Sequence, residues 1–280
     1  MKKTIETVAP ANGTSADSRP EIRRVKTGNR VQYFKGEEKL DFPSVTEIIG
    51  ACVNKPALVF WAKNEALKRA REVLGQLIGS SNVITANMVD NLIEECKQRP
   101  EILRKAAADI GTRVHEAIDK LLNGEVPEIT DDIRPAVTAA KMWIADTDMK
   151  VICREYSMLS KKLGVTGTLD LVGEDKDGLF VADYKTTASK KTVSIDDDHA
   201  GTYPENAYQL GAYANLYEET TGNKINRGFI FWLNKNEPEF LVREVKNFKR
   251  YISGFPKMVD VFNGLESVEF SRTLDYKSDL

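Results

Sequence analysis

Asp170, Asp183 and Lys185 are the residues of this 280-residue sequence whose types and spacing could do chemistry together. They lie in GVTGTLDLVGEDKDGLFVADYKTT, Gly164 to Thr187, where Asp175-Lys176-Asp177-Gly178 is a turn signal between two alternating runs. A hairpin centred on that turn sets Val172 opposite Val181, Asp170 opposite Asp183 and Thr168 opposite Lys185. Directly opposed side chains on paired strands lie about 4.5–5.5 Å apart at Cβ. Alternation puts Asp183 and Lys185 on one face, and leaves Leu169, Leu171, Ala182 and Tyr184 to pack the other. Two opposed carboxylates repel and are costly to desolvate, and a divalent cation relieves both penalties. Oxygen ligands suit hard Mg²⁺ or Mn²⁺, one ion or two. Such an ion polarises a phosphoryl oxygen and acidifies bound water. Lys185 can orient that water, help deprotonate it, or stabilise charge developing on phosphate. This is a phosphodiester-hydrolysis constellation. Asp-x-Lys alone is common on solvated strand edges, and the opposed Asp170 is what sets this copy apart.

Other elements must hold the hairpin in place. Arg30–Lys35 reads as a strand. Ser44 with Glu47 three residues on is a capping box opening a helix. Pro56 opens a second helix to about Leu77, 86–98 is a third helical segment, and Pro100 opens a fourth that Asn123-Gly124 stops. Asp131–Asp146 is a fifth. Val151–Leu159, Val165–Gly173 and Leu179–Lys185 then alternate as strands do. A helix over Tyr208–Tyr217, strands over Ile225–Leu233 and Phe240–Val245, and a helix over Phe248–Phe262 complete the chain. The order predicts an α/β fold with a central mixed sheet flanked by helices, preceded by a helical N-terminal half.

Composition sets the outer limits. Lys and Arg number 40 against 42 Asp and Glu, a net charge of −2, with 41% hydrophobic and 29% charged residues. This is the balance of a globular chain with a sizeable core. No apolar run reaches the ~20 residues of a membrane span. The charge is uneven: residues 1–80 hold 14 basic and 9 acidic residues, and 81–280 hold 26 and 33. The first 29 residues read as a flexible tail with no apolar leader core. Cys52, Cys96 and Cys153 are far apart, which argues against a zinc ribbon or an iron–sulfur cluster and suits a reducing compartment.

The hairpin resembles the signature of the PD-(D/E)XK nucleases, in their RecB-like exonuclease branch, through Asp170 and Asp183-Tyr184-Lys185. Four more segments agree in order. Pro43-Ser44-Val45-Thr46 with Trp61 resembles the opening of the mitochondrial genome maintenance exonuclease and of similar phage exonucleases. Gly111 to His115 is similar to the branch's GxxxH motif. Glu155 lies on the strand before the hairpin, where the branch often has a glutamate. Gln209 and Tyr213 resemble its QxxxY motif, and their spacing puts both on one helix face. Leu169-Asp170 replaces the Pro-Asp of the superfamily name, and the second acid is Asp183 where many members have Glu. No GxxxxGK[ST] occurs, so no helicase motor and no nucleotide cofactor are expected.

The resemblance implies a restriction-endonuclease-like core over 149–265, with the 100–122 helix packed on it. Residues 30–148 are then a helical front region arching over the site, and 266–280 a C-terminal tail. It assigns His115, Asp170, Asp183, the carbonyl of Tyr184 and, less firmly, Glu155 to the metal. Lys185 is assigned to the attacking water, and Gln209 and Tyr213 to the scissile phosphate and the support of Lys185. The expected substrate is DNA, at its ends and preferentially single-stranded. The setting is replication, repair or recombination in the cytoplasm of a bacterium or phage-infected cell, with a single-strand-binding or annealing protein as companion. Ser44, Thr46, Trp61, Lys63, Lys161 and Lys162 are candidate DNA contacts. For Trp61 the core reading is preferred over base stacking, and the lysines can be a solvated face. Phe60 and Tyr33 share the base-stacking reading, and His199 reads as part of a solvated acidic loop. Two rivals remain: a processive double-strand 5′→3′ exonuclease working with an annealing protein, and a DNA-binding recombination or packaging factor with an inactive core.

Overall fold

A computed structural model describes residues 22–27, 30–78, 84–189, 201 and 203–266. Three short strands come first: β1 (Ile22–Thr27), β2 (Arg30–Lys35) and β3 (Glu38–Leu40) form a separate antiparallel sheet. Helices α1 (Val45–Cys52), α2 (Pro56–Leu77), α3 (Ala86–Leu122) and α4 (Arg134–Asp146) follow. The five-stranded sheet then forms from β4 (Lys150–Ser160), β5 (Val165–Asp175), β6 (Gly178–Thr187), β7 (Arg227–Asn234) and β8 (Phe240–Glu244), in that spatial order. Helix α5 (Pro204–Thr221) links β6 to β7, the one parallel pair, and α6 (Phe248–Glu266) ends the described chain. The sheet is mixed, as its sequence pattern predicts.

Two apolar clusters sandwich the large sheet. Helices α1, α5 and α6 cover one face, with Ile48, Leu210 and Phe255 fully buried against Leu169, Val172 and Val181. The second half of α3 and all of α4 cover the other face, where Ile118, Val137 and Trp143 meet Leu171, Ala182 and Tyr184. Gly167 allows the first layer its close approach: a Cβ there would lie 3.0 Å from Val45 and 3.1 Å from Tyr213.

Two expectations are corrected. The 22–29 stretch is not all tail, because Ile22–Thr27 pairs with β2 and buries Ile22. Helix α3 runs unbroken through Pro100 where two helices were expected. Proline removes one backbone donor and crowds the preceding turn. Here the neighbouring turns are largely exposed, so water can take the freed carbonyl. Residues 1–21 and 267–280, and the loop carrying His199, lie outside the described residues.

Helix α2 buries none of its residues. It packs along the first half of α3, where Arg69 ion-pairs with Glu95 at 2.8 Å. Its start is tied to α5 by Lys55 and Glu205 at 3.7 Å. No single helix among the described residues is long and apolar enough to cross a membrane.

Candidate active site

The β5–β6 hairpin has the expected register as far as it is paired: Val172 faces Val181 and Leu171 faces Ala182. The ladder stops there, one position short of the two aspartates. Thr168 and Lys185, expected as partners, are therefore unpaired with each other; Thr168 is shared between Ser157 Oγ at 2.8 Å and Tyr33 Oη at 3.3 Å. Beyond Leu171 the strands open, and Asp170 Oδ2 accepts the backbone N–H of Tyr184 at 2.9 Å. Alternation also breaks at Asp170, since Leu169 belongs to the α5 side of the sheet and Leu171 to the α3 side. The expectation of one shared apolar face is thus corrected: Leu169 packs opposite to Leu171, Ala182 and Tyr184. Across β4, Glu155 has φ 43°, in the left-handed region, and β4 pairs with β5 on either side of Glu155 and Asp170 but not through them. The irregularity turns both carboxyl groups toward α3.

From α3, His115 Nε2 lies 2.8 Å from the Tyr184 carbonyl. A carbonyl can only accept, so Nε2 carries the proton, and in the neutral ring Nδ1 keeps its lone pair. Nδ1 lies 3.5 Å from Asp170 Oδ2 and 3.9 Å from Glu155 Oε1. The ligand atoms of His115, Glu155 and Asp170 all fall within 4.8 Å of one another. On the α5 side, Lys185 Nζ forms an ion pair with Asp183 Oδ2 at 2.6 Å. That oxygen is buried and accepts no hydrogen bond among the described residues. Lys185 Nζ donates to Gln209 Oε1 at 3.1 Å, and Gln209 Nε2 donates to Tyr213 Oη at 2.9 Å. The i, i+4 pair on α5 is therefore a brace for the lysine.

Burial and charge shift these groups in opposite senses. Burial disfavours the imidazolium of His115, but Asp170 and Asp183 outweigh it and raise the group to about 9. Burial pushes Asp183 up to about 6, against the pull of Lys185. Burial and then Asp170 push Glu155 up to about 7. Burial acts on Asp170 too, yet His115 and Lys185 hold it below the ordinary aspartate value. Lys185 is raised, because Asp183 and Asp170 overcome its burial. It is therefore an ammonium, suited to orienting and stabilising anions. Three carboxylates, one of them with a buried oxygen that accepts no hydrogen bond among the described residues, and an imidazole nitrogen are a donor set that fits a hard or borderline divalent cation.

All these groups open on one cleft of about 620 Å³. Ser44 and Thr46 line it as well, their hydroxyls 3.2 Å apart at the start of α1. An isolated bridge between Ser44 and Thr166 ties that helix start to β5. Trp61 and Lys63 stand on α2, and Lys161 and Lys162 in the β4–β5 turn; the structure does not bring these four to the cleft. Tyr33 is 6% exposed and offers the cleft its hydroxyl, so it is no platform for bases, whereas Phe60 is 66% exposed. Sequence reasoning missed Arg24, Lys26 and Thr112 on the cleft wall. For Arg24 and Lys26 the available signal was Gly28-Asn29, a two-residue hairpin dipeptide just before the Arg30–Lys35 strand.

Residues 144–270 match the family model described as the PD-(D/E)XK nuclease superfamily. Over 80 residues the chain is 34% identical to an ATP-dependent helicase/nuclease of Carboxydothermus hydrogenoformans, 29% of this chain and 6% of that protein's length. The alkaline exonuclease LHK-Exo from Laribacter hongkongensis is similar at 15% identity, over 55% of this chain and 78% of that one, with a TM-score of 0.35. The LHK-Exo complex with dAMP matches over the same shares at 14% identity and a TM-score of 0.35.

Proposed function

We propose that this chain, whose residues 144–270 match the PD-(D/E)XK nuclease superfamily, is a divalent-metal-dependent DNA exonuclease that favours single-stranded ends. The observation that carries the reading is the convergence in one cleft of the His115, Glu155 and Asp170 cluster, the buried Asp183 carboxylate and the braced Lys185. His115 Nδ1, Asp170, Asp183 and Glu155, with the Tyr184 carbonyl, would hold Mg²⁺ or Mn²⁺. Bound there, such an ion would supply Lewis acidity toward a phosphoryl oxygen and a lowered pKa for water. The chain's own contribution is positional. Asp170 fixes the Tyr184 main chain through its N–H, and Tyr184 fixes His115 through its carbonyl. Gln209 holds Lys185 where its ammonium can orient a water or neutralise charge gathering on the phosphate.

The preference for a single strand rests on the α2–α3 pair. Helix α2 starts beside α5, on one face of the sheet, and the Ala107–His115 stretch of α3 lines the cleft from the other. In this reading the pair would arch over the cleft, with Phe60, an exposed residue of α2, at its foot. Ser44 and Thr46 would hold the strand's backbone at the cleft edge.

The test is digestion of end-labelled single-stranded, double-stranded and circular DNA with Mg²⁺ or Mn²⁺ titrated in. Release of nucleotides from linear DNA, faster from single-stranded ends, with circles resistant, is expected. Faster release from double-stranded ends would favour a duplex exonuclease. DNA binding without any release would make the chain a binding factor and overturn the reading.

A further inference from the structure

The bank of the cleft facing the carboxylates is built by β1 and β2, which the proposed chemistry does not use. Arg24 and Lys26 share one face of β1, opposite Tyr33 and Val31 of β2, and all four line the cleft that holds His115, Asp170, Asp183 and Lys185. The hairpin is fixed at two points on different elements. Thr168 Oγ1 of β5 donates to Tyr33 Oη at 3.3 Å, and Lys26 Nζ donates to Thr112 Oγ1 of α3 at 3.1 Å. It therefore reaches across from the sheet to the helix, with Arg24 carried on the strand between. Arg24 is exposed, and among the described residues it forms no ion pair. It is near enough to Glu155 to counter part of the rise in that carboxyl's pKa.

The charge around the cleft says what this bank is for. Five carboxylates line it, Glu116, Asp119, Glu155, Asp170 and Asp183, against three permanent cations, Arg24, Lys26 and Lys185. Lys185 is already held by Asp183 and Gln209. Among the described residues Lys26 is bound only to a neutral hydroxyl, and no carboxylate there pairs with its charge. A polyanionic strand entering the cleft thus meets two available cations, both from β1. Arginine offers two parallel N–H groups to the non-bridging oxygens of a phosphate.

We propose that the β1–β2 hairpin is a backbone clamp in which Arg24, assisted by Lys26, binds a phosphodiester flanking the one that is cut. This rests on the proposed nuclease function and adds the residues that hold the substrate in register with Lys185. Single-stranded oligonucleotides carrying one uncharged methylphosphonate, moved stepwise along the chain, test it with Mn²⁺ under single-turnover conditions. At one flanking position the wild-type protein should lose about 10- to 100-fold in kcat/KM. Arg24→Ala should show the same loss on unmodified DNA and no further loss at that position. Lys26→Ala should fall between, and thermal melts should match wild type. Wild-type rates for Arg24→Ala, or losses that multiply at every position, would overturn the clamp. Affinity for the oligonucleotide in Ca²⁺, where no cleavage is needed, decides the clamp even if the wild-type protein cuts nothing, a result that would count against the nuclease reading alone. In that assay Arg24→Ala should bind more weakly with a salt slope lower by about one, and unchanged affinity would overturn the proposal.

Discussion

Each residue of the site owes its position to a different local device. Asp170 turns toward His115 because strand alternation fails at that residue, and Asp183 stays buried because alternation holds through Val181, Asp183 and Lys185. Asp183→Ala should therefore abolish measurable cleavage while leaving DNA affinity in Ca²⁺ near wild type, as comparison of single-turnover rates with anisotropy titrations would show. Retained cleavage would dismiss Asp183 from the site. Gln209 acts through Lys185. Its replacement by Ala should cost about 10- to 100-fold in kcat with little change in KM, because a loosened lysine loses orientation and not charge. Lys185→Ala should cost more. Equal and full activity in both variants would remove the brace.

At the scale of elements, close backbone approach sets the geometry. A Cβ on Gly211 would fall 2.5 Å from the backbone carbon of Tyr251, so α5 and α6 pack main chain to main chain there. Gly211→Ala should destabilise the fold by about 1–3 kcal/mol by overpacking. In thermal melts this would lower Tm, while Gln209, two residues from the clash and across the helix, and the Lys185 it holds on β6 keep their roles at temperatures below the transition. Helix α1 is set by its capping box, in which Ser44 accepts from Glu47 N at 3.2 Å. Ser44→Ala should cost about 0.5–2 kcal/mol. These elements were legible in the sequence because their signals are local: the box at Ser44 and Glu47, Pro56 at a helix start, and the Asp-Gly turn. The first strand and the continuity of α3 were not. Arg24 and Lys26 look like tail charges until β2 pairs with them, and Pro100 stops a helix only where its freed carbonyl has no other partner.

For the whole molecule, the site's charges tie stability to pH. The ordinary values of 3.8 for Asp183 and 4.5 for Glu155 rise to about 6 and about 7 in the fold, and 6.5 for His115 rises to about 9. A group whose pKa is raised by folding stabilises the fold below its unfolded value and loses that stabilisation as pH climbs through the folded one. All three lose it between about pH 4 and 9. Asp170 is lowered, so its contribution is present above 3.8 and is lost as pH falls below that value. A divalent cation competes with those protons. The rise in Tm produced by Mn²⁺ should therefore grow from pH 5 to pH 8, and a rise that shrinks over that range would refute a cation held by these groups. The net charge of −2 averages over a cleft in which an acidic cluster and the basic residues of β1 face each other.

The amino-acid sequence alone determined most of the elements and, as far as the strands pair, the hairpin register, since both follow from spacing over a few residues: periods of two and 3.6, a turn dipeptide, a cap. It also determined which side chains belong to the Asp170, Asp183 and Lys185 set. Tertiary structure alone decided that the hairpin ladder ends before the aspartates, that Glu155 turns in at a positive φ, and that His115 reaches Tyr184 from the opposite layer. Those depend on packing between segments 40 to 70 residues apart, as in His115 to Glu155 and Tyr184, which no local pattern records. The same holds for β1: six residues that read as tail become a wall of the cleft once Tyr33 is anchored on β5 and Lys26 on α3.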